Sequence, residues 1–177
     1  MSELVDIYNN KKEKTGKVVE RKRGASLEKD EYIISVTCWI INNEEKILLT
    51  QRKIDKHNGG MWEPTTGLVI SGESSLQGIL RELNEEIGIK VNAKEIKLAK
   101  EIVEKRSDLN FFRDIYLLRK DIKINDLVFS DGEVVSAKYV TIEEFKQMIT
   151  NKETFEYLKY FIELYKQIKN NKWLEGI

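Results

Sequence analysis

The chain has 177 residues, 41% of them hydrophobic and 34% charged, and its 30 basic and 30 acidic side chains cancel to a formal net charge of zero. That length suits one domain with a real core, and a neutral balance gives no global field to steer a nucleic acid polymer or an acidic membrane. A single cysteine excludes an intrachain disulfide; with no signal-peptide core and no apolar run near the ~18 residues that span a bilayer, a cytoplasmic protein is expected.

Residues 3–30 form a polar prelude. Leu4 to Tyr8 and Lys17 to Glu20 are strand-like runs around the turn-prone pairs Asn9-Asn10 and Thr15-Gly16, which predicts a hairpin. Lys11, Lys12, Lys14, Lys17, Arg21, Lys22 and Arg23 make it basic. Either an anion-attracting flap near a phosphate-bearing substrate or a solvated lysine-rich surface answers to that charge, and the second is the commoner outcome. Tyr32 to Ile41 is β-branched and aromatic, and after Asn42-Asn43 the run Lys46 to Thr50 completes a second hairpin. Arg52, at its end, has the donor geometry to reach a substrate phosphate. Cys38 in an apolar strand reads as a small core residue. His57, the one histidine, sits in the loop Lys56 to Gly60 and cannot build a histidine-based metal site alone. Met61 to Thr66 holds the one proline, and Trp62 there either packs or stacks on a flat substrate group.

The next stretch is the most patterned in the chain. Gly67 is followed after five residues by Glu73, and after seven more by Arg81-Glu82-Leu83-Asn84-Glu85-Glu86-Ile87-Gly88-Ile89. Its middle predicts a helix, with Ser74 and Gln77 as a capping box and Gly88 as a left-handed C-terminal cap. Leu76, Ile79, Leu80, Leu83 and Ile87 share one apolar stripe, while Glu82, Glu85 and Glu86 share another face. Like charges at this spacing destabilise a helix by roughly 0.2–0.5 kcal/mol per pair, so the cluster asks for a cation. Hard divalent ions such as Mg²⁺ or Mn²⁺ prefer oxygen ligands of this kind.

Beyond it, Glu95 to Glu104 and Phe111 to Arg119 predict two strands joined near Ser107-Asp108. Asp121 to Asp131 is irregular, Val134 to Val140 is a strand, and Thr141 with Glu144 caps a helix through Met148. Residues 154–169 predict a final helix with Phe155, Leu158, Ile162, Tyr165 and Ile168 on its apolar stripe. Hairpins interleaved with helices give an α/β class, a mixed β-sheet sandwiched between α-helices. One domain is expected over 1–177, divided into an N-terminal hairpin extension (1–30), a core (31–150) and a C-terminal helix (151–177).

The segment Gly67 to Ile89 resembles the signature box of the Nudix (MutT-like) hydrolases, with every fixed position present over 23 of the 177 residues. Seven such positions coincide by chance on the order of once in 10⁸ windows. The resemblance implies the Nudix fold, Mg²⁺ or Mn²⁺ held by Glu82, Glu85, Glu86 and the Gly67 carbonyl, and an ion pair of Glu73 with Arg81 that orients those glutamates. It also implies a phosphoanhydride hydrolase acting on a diphosphate linked to another moiety, which the box does not identify. By position, Glu133 at the entry to its strand is the expected general base, with Glu101 and Glu104 as competitors. The prelude, an Asp6-x-Tyr8 strand followed by Thr15-Gly16, is similar to that of the isopentenyl diphosphate isomerase-like subgroup. That isomerase needs a cysteine before the box and several histidines, and Trp62 to Leu68 holds neither. A non-catalytic diphosphate-binding module is the third reading, against which the intact glutamates argue. The expected partner is a small-molecule diphosphate, not a nucleic acid polymer or a membrane, and a homodimer stays open.

Overall fold

The computed structural model describes residues 3–20, 27–105, 109–130 and 132–170. Expectations placed on Arg21, Lys22, Arg23, the Ser107-Asp108 turn, Asp131 and residues 171–177 lie outside the described residues. In chain order the strands are β1 (Leu4–Tyr8), β2 (Lys14–Glu20), β3 (Ile33–Ile41), β4 (Ile47–Arg52), β5 (Trp62–Glu63) and β6 (Thr65–Leu68). Helix α1 (Ser75–Ile87) follows, then β7 (Ile96–Lys105), β8 (Asn110–Arg119), β9 (Val134–Val140), α2 (Ile142–Thr150) and α3 (Tyr160–Asn170). β1 and β2 form the predicted hairpin, and the other described strands form one mixed sheet in which β3 pairs parallel with β8 and antiparallel with its other partners.

β3 is buried along its whole length, as a β-branched and aromatic run at the centre of a sheet should be. The expected β3–β4 hairpin exists but is short, pairing only Ile40 with Leu48 and Ile41 with Ile47. Beyond that point the two strands part. β6 takes the freed edge of β3, from Ser35↔Leu68 to Cys38↔Thr65, and β5 takes that of β4, at Thr50↔Glu63 and Gln51↔Trp62. Pro64 stands between β5 and β6, outside both ladders, where its missing N–H costs no sheet hydrogen bond. This fork delivers Glu63 and Gly67 to one region of the molecule.

Alternation along the strands sends side chains to opposite faces. Ile34, Val36, Cys38 and Ile40 meet Ile79, Leu83 and Ile87 of α1 on one face. Trp39, Ile41, Leu49, Ile115 and Leu117 meet Phe145, Met148, Phe161 and Leu164 of α2 and α3 on the other. The sandwich expected from sequence is therefore present. Trp39 anchors the second layer: its ring stacks on Phe161 at 3.7 Å, meets Phe145 edge-on at 5.3 Å, and its Nε1 donates to Tyr160 Oη at 3.0 Å. Truncating a buried tryptophan of this kind costs about 3–5 kcal/mol. Cys38 is a core residue, and burial pushes its thiol well above the usual range, which keeps it inert.

Three local expectations need correction. Thr15-Gly16 makes no turn; the pair lies inside β2, where the register against β1 shifts between Asp6 and Tyr8 and Gly16 takes φ +85°. The irregular 121–131 connection contains a 3₁₀ turn at Ile124–Asp126. The last helix does not run continuously from 154: a 3₁₀ turn at Glu156–Lys159 precedes α3. At about three residues per turn that segment moves the phase of the stripe, so Phe161 and Leu164 are buried and Ile162 is only half-buried.

Candidate active site

Helix α1 starts as its sequence dictates. Ser74 Oγ accepts from the Gln77 N–H at 3.2 Å, and Gln77 Oε1 accepts from the Ser74 N–H at 2.8 Å. Gly88 closes the helix with φ 73°, its N–H donating to the carbonyls of Asn84 and Leu83. Between these caps Ile79, Leu83 and Ile87 are locked into the core, which fixes the rotation of the helix and aims Glu82, Glu85 and Glu86. Glu82 and Glu86 are buried, and Glu85 is exposed.

Arg81 organises this face. Its Nε donates to Glu73 Oε1 at 2.9 Å and its Nη2 to Glu73 Oε2 at 3.2 Å, a fork-to-fork pair. Nη2 also donates to the Leu68 carbonyl at 2.8 Å, while Nη1 donates to Glu82 Oε1 and Glu85 Oε2, each at 2.9 Å. One guanidinium thus ties the pre-helix loop to two of the three glutamates. At Gly67 the chain lets the Glu82 carboxylate approach closely: a methyl group there would overlap it and displace that side chain. Burial pushes Glu82 up to about 7 against the downward pull of Arg81.

The loop is held from the other side by the N-terminal hairpin. Asp6 accepts from Ser71 Oγ at 2.7 Å and from the Gly72 N–H at 3.2 Å, and the Leu4 carbonyl accepts from the Ser71 N–H at 2.7 Å. Gly72 has φ +90°, a conformation that glycine alone takes without strain. Lys14 pairs with Asp6 at 2.6 Å, Lys17 with Glu31 at 2.7 Å, and Lys12 with Asp114 at 2.7 Å and with Glu101. Among the described lysines of the prelude, these three are engaged with carboxylates of the same chain: Lys14 braces the hairpin internally, while Lys12 and Lys17 tie it to the rest of the molecule. Glu101, a competitor for general base, is thereby placed under the hairpin tip.

At the fork of the sheet lies a second set of charges. Arg52 Nη1 donates to Glu63 Oε1 at 2.6 Å, its Nε donates to the His57 carbonyl at 3.1 Å, and Nη2 stands 4.0 Å from Glu133 Oε2. Lys56 Nζ approaches Glu133 Oε1 at 3.4 Å. Burial pushes Glu63 up while Arg52 pulls it down. Arg113, buried in β8, donates from Nη2 to Glu104 Oε2 at 3.0 Å and from Nη1 to Thr37 Oγ1 at 3.3 Å. Of these, Arg52, Glu63 and Glu104 line a cavity of about 460 Å³ together with Phe155, Tyr157 and, from the β4–β5 loop, His57 and Asn58.

Of the residues singled out in the sequence, Gly67, Glu73, Arg81, Glu82, Glu85 and Glu86 come together on one face, and Arg52 and Glu133 form a neighbouring cluster whose charge reaches Glu86. Trp62 packs instead against the α2–α3 layer with Lys138 Nζ 4.1 Å from its ring centre. Asp6, Glu63, Arg113 and Tyr157 belong to the site region without having been singled out as site residues. A charged Arg113-Asp114 pair inside the apolar run Phe111 to Leu118 was the available signal. Among the described residues no three metal-binding side chains stand already converged on one point. The donor set nevertheless fits a hard divalent cation: three carboxylates on one helical face, two of them buried, beside a glycine whose bare Cα admits Glu82.

The model of the NUDIX domain family matches residues 31–161. The chain therefore belongs to that family, and it is a Nudix hydrolase. An uncharacterized Nudix hydrolase of Listeria monocytogenes is 28% identical over 88% of this chain and 88% of its own length. Nudix hydrolase 6 of Arabidopsis thaliana is 32% identical over 71% of this chain, which spans only 45% of that longer protein. Among solved structures, DR0079 of Deinococcus radiodurans has the same fold, with a TM-score of 0.73 at 20% identity, covering 93% of this chain and 98% of its own. Among the described residues no helix is long and apolar enough to cross a membrane.

Proposed function

We propose that the protein hydrolyses a phosphoanhydride bond in a nucleoside diphosphate derivative, with Mg²⁺ or Mn²⁺ held by Glu82, Glu85, Glu86 and the Gly67 carbonyl. The observation that carries this reading is the carboxylate face of α1, clamped by Arg81 to Glu73, with two of its three glutamates buried. A bound divalent cation screens the diphosphate and lowers the pKa of the attacking water. The chain's own part is positioning. Arg81 and Glu73 hold the loop and turn Glu82 and Glu85, and the α1 core contacts keep the glutamates in phase. Glu133 is the proposed general base, and Glu104, tied to Arg113, is the alternative.

Relatives support the nucleotide character of the substrate. The CTP pyrophosphohydrolase of Escherichia coli is 41% identical over 63 residues, which is 36% of this chain and 47% of that enzyme. The Shewanella oneidensis NrtR NUDIX domain, at 19% identity and a TM-score of 0.61, was solved with ADP ribose. Isomerase chemistry has little support, because Cys38 is buried and inert and Trp62 to Leu68 supplies no thiol or imidazole. The test is a screen of diphosphate compounds with Mg²⁺ or Mn²⁺, products identified by mass. Cleavage at a phosphoanhydride is expected. Conversion of isopentenyl diphosphate to dimethylallyl diphosphate, or no cleavage of any diphosphate, would overturn the reading.

A further inference from the structure

β7 ends the mixed sheet. Among the described strands it pairs with β8 alone, so one edge of this ten-residue strand has no strand beside it. Leu98 and Val103 point out of β7 with 45% and 57% of their surface exposed. They stand five positions apart, and simple alternation would send them to opposite faces. They share one face because the register against β8 slips at Ala99: Leu98 lies opposite Tyr116 and Val103 opposite Phe112, both in the α1 layer. The same slip puts Lys97 and Glu104 together on the other face, where Ala99 and Ile102 pack toward the α2–α3 layer.

A bulge and lysines on an edge ordinarily discourage another strand from pairing there. Here the residue order works the other way. Turned end for end about a two-fold axis normal to the sheet, β7 is its own complement. Lys97 comes opposite Glu104, Leu98 opposite Val103 and Ala99 opposite Ile102, and each pair forms twice. The partners in each pair are separated by an odd number of positions, so in regular strands they would straddle the sheet; the slip at Ala99 brings each pair to one face. Lys100 falls diagonal to Glu104, and Lys105 turns back over the Tyr32 ring of its own chain at 5.8 Å. Glu101 meets its own copy on the axis, a like-charge contact that Lys12 of each chain offsets.

We propose that the free edge of β7 is the contact surface for a second copy of this chain, joined antiparallel into a two-fold dimer with one sheet running through both molecules. Main-chain hydrogen bonds supply the contact, and the Leu98–Val103 and Lys97–Glu104 pairs set its register. Glu104 also lines the cavity at the sheet fork, so the dimer brings Lys97 of the second copy to the rim of that cavity.

The experiment has two parts, both on the full chain. Analytical ultracentrifugation from about 1 μM to about 1 mM should show the mass rising from monomer to dimer. Leu98→Lys, a change at an exposed position that sets a cation against Val103, should hold the protein as a monomer throughout that range. Register is read by cross-linking. A chain carrying both Leu98→Cys and Val103→Cys should be captured as a disulfide-linked dimer on mild oxidation, since opposite residues bring their Cβ atoms to about 4.5–5.5 Å. Each single-cysteine variant sets its thiol about 13 Å from its copy, four positions of about 3.3 Å, and should stay unlinked. Cys38 is buried and does not compete. Unsubstituted protein that stays monomeric at the highest concentration would overturn the proposal. So would single variants that cross-link as readily as the double one. A dimer that survives Leu98→Lys is joined through another surface and would overturn it equally.

Discussion

The carboxylate face of α1 and the cavity at the sheet fork adjoin, but they are built in opposite ways. The first comes from one unbroken stretch, Gly67 to Gly88, in which a close approach, two caps and one guanidinium suffice to fix three glutamates. The second draws Arg52 from β4, Glu63 from β5, Glu104 from β7 and Tyr157 from the turn before α3, with Arg113 of β8 paired to Glu104. A contiguous device carries most of its geometry in its own stretch, and here only its loop leans on the hairpin. An assembled one changes whenever any contributing segment changes, which suits it to choosing among substrates and not to the shared chemistry.

The largest effect should fall where the two regions meet. Glu133→Gln should lower kcat by roughly 10²–10⁴ with little change in KM and flatten the acidic limb of the pH–rate profile. Steady-state kinetics beside Glu104→Gln decides the matter: if Glu104→Gln abolishes turnover while Glu133→Gln keeps it, the base belongs to β7. Next, Glu86→Gln should lower kcat by about two orders of magnitude for every substrate alike. Its metal-free Tm should match or slightly exceed the parent's, because a like-charge repulsion is gone. Turnover near that of the parent would remove Glu86 from the metal site.

Asp6→Ala should act more gently. Its carboxylate reaches the glutamates only through Ser71, Gly72, Glu73 and Arg81, so Mn²⁺ affinity measured by paramagnetic resonance should fall by no more than about tenfold, the lower bound for a direct outer partner. Preference among nucleotides should not move; if it does, the two regions are mechanically coupled. The smallest effect is one of pH. Hydrogen bonds from Lys14 and Ser71 hold Asp6 below its usual value of 3.8. Its contribution to stability is therefore complete above that value and is lost as pH falls through the lower folded-state pKa. The stability difference between the parent and Asp6→Asn should shrink on acidification, and a difference constant with pH would remove Asp6 as its source.

The same contrast explains what could be read in the sequence. Periodicity and capping residues gave α1 to within a residue, because helix phase is a local property. Two layers of helix on one sheet followed from element order alone. Nothing local marks Glu63 as a partner of Arg52, eleven residues away across a loop, or Tyr157 as a neighbour of Arg113. Those contacts depend on β3 and β4 parting after two paired positions, and a strand's propensity does not say where its neighbour leaves. The 3₁₀ turn before α3 escaped for a related reason: its residues suit either helix, and packing chose.

The hairpin has a bearing on where this molecule can be cut. The family match begins at residue 31, and β1 and β2 lie wholly before it. A chain trimmed at that point would retain the complete signature, yet Ile33 and Phe111 would lose their cover from Val5 and Ile7, and Tyr32 its bridge to Tyr8. Uncovering apolar side chains of that size costs about 1.5–3 kcal/mol each. The turn at Ser71 and Gly72 would also be cast off from Leu4 and Asp6, leaving the approach to α1 held by Arg81 and Glu73 on the helix side and by the Val69 N–H on the Ile34 carbonyl. The family match and the mechanics of the fold thus draw different boundaries on the same chain, and the hold on the loop before α1 comes partly from residues that precede the match.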